Sequence, residues 1–125
     1  MSTLITDPEI LAFIAEVEGL YPSDTASLDV AGQRRLYDAM AAHFRAPRPA
    51  GLEVRDAPVA GVPCRHYGTN GAARVVFLHG GGFSLGGLDS HDDVAAEIAA
   101  RSGCPVTSVE YRLAPEHLHP AGFED

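Results

Sequence analysis

His79-Gly80-Gly81-Gly82-Phe83 is the stretch of this sequence best suited to chemistry. Three consecutive glycines are entropically costly to order, so they ask for a physical reason. Without side chains, successive backbone N–H groups can converge on one small anionic atom, and a ligand can approach the main chain closely. The oxyanion of an acyl-transfer intermediate is such an atom, and each preorganised donor lowers that barrier by about 3 kcal/mol. A phosphate-binding loop would require GxxxxGK[ST] or GxGxxG, and neither occurs. A plain flexible turn stays the rival reading, although it leaves His79 unexplained; that imidazole can pin the loop by hydrogen bonding.

Gly82-Phe83-Ser84-Leu85-Gly86 also matches G-x-S-x-G, the pattern of a nucleophile elbow. An elbow sets its serine on a tight turn directly between a strand and a helix. Ser84 instead falls inside a long loop, between a strand ending near Leu78 and a helix starting near Ser90, so it is not assigned as a nucleophile. His43 ends a helix, where its protonated form suits the dipole. His66 sits on a strand, His91 beside a helix cap, and His117 and His119 in a later loop. A metal site among His91, Asp92 and Asp93 is disfavoured because adjacent residues on a helix point apart. Cys64 and Cys104 have no second cysteine or histidine at ligand spacing and read as buried structural thiols. No metal and no cofactor is expected.

The elements that must position the glycine loop follow from periodicity. Asp7 can cap a first helix, Pro8 suits its first turn, and Ile10, Leu11, Ile14 and Val17 recur at helical spacing until Gly19 and Pro22. A second helix is expected over 29–44, with Val30, Leu36, Met40 and Phe44 apolar. The Pro-rich stretch 45–51 breaks regular structure. Residues 1–45 thus form a helical segment ahead of an α/β core over 46–125. In that core the period changes to two. Strands are expected over 52–59 and 62–67, joined as a hairpin at Ala60-Gly61. Residues 74–78 read as a strand buried on both faces of a parallel sheet. Ser90 or Asp89 should cap a helix through about Arg101, with Val94, Ala95, Ile98 and Ala99 on one face. Gly103 stops it, and 104–109 forms the next strand, closing a right-handed crossover unit. The segment 111–125 is a loop entering another helix.

Composition narrows the partners. Nine Lys+Arg against 17 Asp+Glu give a formal net charge of −8, which argues against nucleic acid, since phosphate binding needs a cationic patch. Arg34 and Arg35 are read as the solvated face of a helix. Met1-Ser2-Thr3-Leu4 lacks the basic region of a signal peptide, and no apolar run approaches the roughly 18 residues of a membrane span. A cytoplasmic protein without a membrane span is expected.

Taken together, His79-Gly80-Gly81-Gly82-Phe83, Gly86-Gly87-Leu88-Asp89-Ser90-His91-Asp92, and Tyr111-Arg112-Leu113-Ala114-Pro115-Glu116-His117 with Pro120 and Glu124-Asp125 resemble the hormone-sensitive-lipase-like branch of the α/β-hydrolases. An HGGG-type motif after the third strand contributes to the oxyanion hole of such lipases and esterases. The resemblance covers about residues 52–125, and the two N-terminal helices resemble the family's cap. It departs in Glu110, where Asp is common before Tyr-Arg, and in Leu118-His119, which replaces a Pro-aromatic pair.

The resemblance implies the N-terminal part of an α/β-hydrolase fold: a mostly parallel sheet, strands one to four, preceded by two cap-type helices. Its fourth strand would insert between the second and third, and a fifth would pair beside 74–78. The oxyanion donors would be the N–H groups of Gly81 and Gly82, with His79 and Gly80 positioning the loop. Arg112 and Glu116 would be ion-pairing residues that fix the loop after the fourth strand. The Ser, Asp or Glu, and His of the triad would lie beyond residue 125. The implied partner is a small-molecule ester, with a complementing C-terminal chain as a second. Two other readings stay open: a truncated or split polypeptide that at most binds a partner, and an anion-binding module built on the glycine loop alone.

Overall fold

A computed structural model describes residues 5–69, 71 and 73–125 of the chain. The leader reading of Met1–Leu4 lies outside the described residues. Helix α1 spans Pro8–Leu20, and its Asp7 side chain accepts from the N–H groups of Glu9 and Ile10, two of the donors a helix start leaves unpaired. Helix α2 spans Val30–Phe44, and Asp29 caps it through the Gly32 N–H. On α1 the helical spacing overstates burial: Ile10 and Leu11 are exposed, and the helix packs mainly on α2.

Beyond the irregular segment 45–51 lies one four-stranded sheet in the order β1-β2-β4-β3, formed by β1 (Val54–Asp56), β2 (Cys64–Tyr67), β3 (Val75–Leu78) and β4 (Val106–Val109). Strands β1 and β2 are the expected hairpin, shorter than its pattern. A Val59–Val62 bridge closes the turn, with positive φ at both Ala60 and Gly61, the geometry that matches strand twist. Strand β4 sits between β2 and β3, antiparallel to β2 and parallel to β3. Among the described residues parallel pairing is therefore confined to β3 and β4, the pair that the crossover helix connects.

That helix, α3, spans Asp92–Ser102 and ends at Gly103 in the left-handed conformation, the usual glycine C-cap. Neither Ser90 nor Asp89 caps its start. The Ser90 hydroxyl is engaged with Gly87 and the Asp89 carboxylate with Arg65, which leaves His91 in the N-cap position without a side-chain cap bond. The buried face of α3 carries Ala95, Ala96 and Ala99, whereas Val94 is exposed. Small residues let the helix lie close to the sheet, where it packs on Tyr67 and Val106.

Strand β3 departs from the two-faced burial expected of it. Val75 and Phe77 pack toward the core, while Val76 and Leu78 are each 64% exposed. Successive strand side chains alternate faces, and among the described residues α3 covers one face only. Cys64 is buried as expected, but Cys104 is only partly so, at the turn between α3 and β4. A short helix α4, Ala121–Glu124, ends the described chain. Among the described residues no helix is long and apolar enough to cross a membrane.

Candidate functional site

Parallel pairing brings two loops to the same end of the sheet. Leu78 and Val109 are in register as the last residues of β3 and β4, so the loops at 79–91 and 110–120 emerge side by side. In open α/β sheets this carboxyl end is where ligands bind.

His79 leaves β3 and is 4% exposed. Its ring stacks on Tyr111 with centroids 4.2 Å apart, and the Tyr111 hydroxyl donates to the His79 carbonyl at 2.6 Å. Burial, and then the Glu110 charge, push the Tyr111 phenol up, keeping it a neutral donor. Nδ1 of His79 lies 2.8 Å from the Gly80 carbonyl; a carbonyl only accepts, so Nδ1 carries the proton. Its Nε2 is buried without a partner among the described residues. The His91 ring lies 5.6 Å away, and burial, reinforced by His79, lowers its pKa.

Next comes a tight turn. The Gly81 carbonyl accepts from the N–H groups of Ser84 at 3.1 Å and Leu85 at 2.9 Å. Gly81 has φ +125° and Gly82 φ +61°, and a Cβ at Gly81 would sit 2.1 Å from the Leu85 carbonyl oxygen. Only glycine fits there. In a trans peptide the N–H points opposite the C=O of the same unit. The Gly81 carbonyl faces into the turn, so the Gly82 N–H faces out of it. By the same rule, the His79 bond to the Gly80 carbonyl turns the Gly81 N–H away from the imidazole. Neither N–H has a hydrogen-bond partner among the described residues, and a Cβ at Gly82 would meet open space.

Ser84 lies within this turn. Its hydroxyl has one long contact, 3.4 Å to the Gly81 carbonyl, and no imidazole partner among the described residues. Within this turn the non-glycine residue with positive φ is Phe83, at +60°. Hydroxyl–imidazole contacts occur elsewhere, between Ser90 and His91 at 3.0 Å and between Thr107 and His66 at 3.0 Å. The second nitrogen of His66 meets the Ala57 carbonyl, and His91 makes no bond to a carboxylate. Neither pair forms an oriented relay.

Several residues that matter here were not singled out from the sequence. Arg34, read as solvated, donates from α2 to the Ser84 carbonyl at 2.8 Å, to the Ala114 carbonyl at 2.9 Å and in bidentate fashion to Glu116. Its neighbour Arg35 is exposed. Arg112 and Glu116 do form ion pairs, but with different partners: Arg112 with Asp125 and Glu116 with Arg34. Gly86 has φ +86°, and a Cβ there would press on the Gly80 carbonyl and His79 Nδ1. The Glu110 carboxylate accepts from the Leu88 N–H at 2.7 Å. Asp92 is buried and accepts from Arg48, Arg65 and Tyr67. Burial alone would raise its pKa; those donors outweigh it and hold the carboxyl at about 2. This network ties the segment before β1, strand β2 and the start of α3 together. Beside the glycine turn, Tyr21, Gln33, Leu36, Tyr37 and Leu85 line an open cleft of about 380 Å³. Among the described residues no group of three or more His, Cys, Asp or Glu is arranged to hold a metal ion.

Comparison with known proteins bears on the fold. A family model described as the alpha/beta hydrolase fold matches residues 75–125. Carboxylesterase NlhH of Mycobacterium tuberculosis is 61% identical over 51 residues, which is 41% of this chain and 16% of that protein. Carboxylic ester hydrolase LipN of the same organism is 37% identical over 117 residues, 87% of this chain and 30% of that protein. Among solved structures, an esterase from the bacterial hormone-sensitive lipase family superposes with a TM-score of 0.77 at 31% identity, covering 98% of this chain and 41% of that one. A hyperthermophilic esterase from the archaeon Pyrobaculum calidifontis gives 0.78 at 31% identity, with 97% and 41% covered. The chain thus spans less than half the length of each of these relatives.

Proposed function

The chain belongs to the hormone-sensitive-lipase-like family of the α/β-hydrolase fold, and from that premise we propose that it is the N-terminal portion of a carboxylic ester hydrolase. In this reading the segment supplies the oxyanion loop, and a serine attacks a small acyl ester under Ser-His-Asp catalysis in the complete enzyme. The observation that carries it is the outward pair of N–H groups at Gly81 and Gly82, unpaired among the described residues, on a turn whose Gly80, Gly81, Phe83 and Ser84 carbonyls are engaged inward or on neighbouring segments. Such donors stabilise charge that develops only in the transition state. The triad itself is assigned to sequence beyond Asp125. The cleft beside Leu85 is wide enough for a short acyl or alcohol group.

The exposed face that carries Val76 and Leu78 and the free edge of β3 are where a complementing C-terminal portion would join the sheet, whether continuous with this chain or separate. A cytoplasmic location belongs to the same proposal and is open to fractionation. The test is p-nitrophenyl acetate hydrolysis by the 125-residue chain and by the enzyme completed with the sequence that follows it. The completed enzyme is expected to turn over and the segment alone to stay at background. Turnover by residues 1–125 that is abolished by Ser84→Ala would overturn the placement of the nucleophile. A completed, folded enzyme without esterase activity would overturn the proposal.

A further inference from the structure

The glycine turn is held from outside by a residue of the N-terminal helical segment. Two of its peptide units, Phe83–Ser84 and Ser84–Leu85, are bonded at both ends. The Phe83 carbonyl accepts from the Ala114 N–H at 2.8 Å, while the N–H of the same unit, on Ser84, bonds the Gly81 carbonyl. The Ser84 carbonyl accepts from Nε of Arg34, while the N–H of that unit, on Leu85, bonds the Gly81 carbonyl as well. The Gly81 carbonyl in turn fixes, across its own peptide plane, the direction of the Gly82 N–H. An unbroken chain of hydrogen bonds therefore runs from a guanidinium on α2 to a proposed oxyanion donor.

We infer that Arg34 is a positioning residue for the Gly81–Gly82 donors, and that Glu116 orients Arg34 for that work. The inference rests on the oxyanion reading of the loop. Three features support it over a purely structural tie. First, the guanidinium uses its fork on both sides: Nη1 and Nη2 form a bidentate pair with Glu116 at 2.8 Å each, leaving Nε aimed at the Ser84 carbonyl. Lysine has no such geometry. Second, Nη2 also holds the Ala114 carbonyl, and the Ala114 N–H holds the Phe83 carbonyl, so the two supports of the turn are joined to each other. Third, the Glu116 carboxyl is held at about 2 by the Arg34 hydrogen bonds, so the pair stays charged wherever an esterase works. Exposed pairs of this kind add little stability. Direction, rather than fold energy, is what this one supplies. A consequence is that displacement of α2 is transmitted to the loop, which couples the cap-like segment to the proposed catalytic geometry.

The experiment is run in the completed enzyme with Arg34→Ala, Arg34→Lys, Glu116→Gln and, as a charge-matched control, Arg101→Ala on the exposed face of α3. With p-nitrophenyl acetate, Arg34→Ala should lower kcat about 10- to 100-fold, the scale on which small misplacements act, with KM within about twofold. Millimolar guanidinium should restore part of kcat. Arg34→Lys should fall between, and Glu116→Gln should show a smaller loss of the same kind. Hydrogen exchange at the Ser84 and Leu85 amides should quicken at least tenfold in Arg34→Ala, with exchange in α3 unchanged. A folded Arg34→Ala enzyme with parental exchange at those amides would overturn the inference whatever its activity. So would quickened exchange with parental kcat, provided Gly82→Val is impaired. If Gly82→Val itself keeps parental kcat, the oxyanion reading fails first and the positioning role falls with it.

Discussion

Replacing Asp92 by alanine removes the acceptor at the centre of a polar network that ties three segments of the chain together. Asp92 is 4% exposed, and its carboxylate accepts from Arg48 at 2.7 and 2.8 Å, from Arg65 at 3.0 Å and from the Tyr67 hydroxyl at 2.9 Å. The costs differ by donor. Arg65 keeps Asp56 and Asp89, so its charge stays compensated. Arg48 is near half exposed and can turn to water, for about 0–1 kcal/mol. Tyr67 is fully buried, and its hydroxyl is left without an acceptor, which costs about 1–3 kcal/mol. The total is about 2.5 kcal/mol, in keeping with a carboxyl held near 2 rather than 3.8, which is about 2 kcal/mol on the linkage scale. At a urea slope of about 2 kcal/mol/M the midpoint should fall by about 1.2 M. In a Tyr67→Phe background the same substitution should cost about 2 kcal/mol less, because the hydroxyl that suffers is gone. A depressed carboxyl also means that the parent loses stability as pH falls from about 4 toward 2, since the unfolded chain takes up the proton first. Asp92→Ala should flatten that part of the profile. A midpoint shift under 0.3 M, or strict additivity with Tyr67→Phe, would refute the reasoning.

Gly81→Ala should lower kcat by at least about 10²-fold, because its Cβ would sit 2.1 Å from the Leu85 carbonyl oxygen; Gly80→Ala, which meets nothing within 4 Å, should be the milder variant, and steady-state kinetics separates them. The His91 pKa is lowered in the fold by burial and then by His79, so stability should decline as pH falls below about 6.5, where the unfolded imidazole protonates first. His91→Phe should remove that slope in urea melts. The 125-residue chain by itself should associate through the free β3 edge and the exposed Val76 and Leu78, as open apolar edges do. Light scattering after size exclusion would show it, and a monodisperse, cooperatively melting monomer would contradict it.

Local patterns made much of this legible. The cap at Asp7, the glycine stop at Gly103 and the hairpin at Ala60-Gly61 are decided by residues within one turn of each other, and the structure has them where the pattern put them; Asp29, read only as the start of the second helix, turns out to cap it. The β3–α3–β4 crossover and the insertion of β4 between β2 and β3 follow from handedness and the family resemblance. Partnerships across the fold were not legible. Arg34 lies 50 residues from Ser84 and 82 from Glu116, and nothing in a helical pattern distinguishes a clamp from a solvated arginine. Ser90 and Asp89 carry good cap chemistry, yet Gly87 and Arg65 take their oxygens first. Val94 and Ala96 are both apolar at plausible helix positions, and only the close approach to Tyr67 and Val106 favours the smaller one. The HGGG signal identified the loop, but Gly86 became intelligible only once the Gly80 carbonyl and His79 were seen against it.

The most direct test of the central claim removes the Gly82 N–H without adding a side chain. Incorporating glycolate at position 82 of the completed enzyme replaces that N–H by an ester oxygen and leaves φ, shape and charge nearly as they were. Gly82 faces open space, and its N–H makes no internal bond among the described residues, so the melt should be close to parental. Loss of one oxyanion donor should lower kcat for p-nitrophenyl acetate by about 10²–10³-fold with KM little changed. A folded ester-substituted enzyme with parental kcat would show that the Gly82 N–H does not bind the oxyanion.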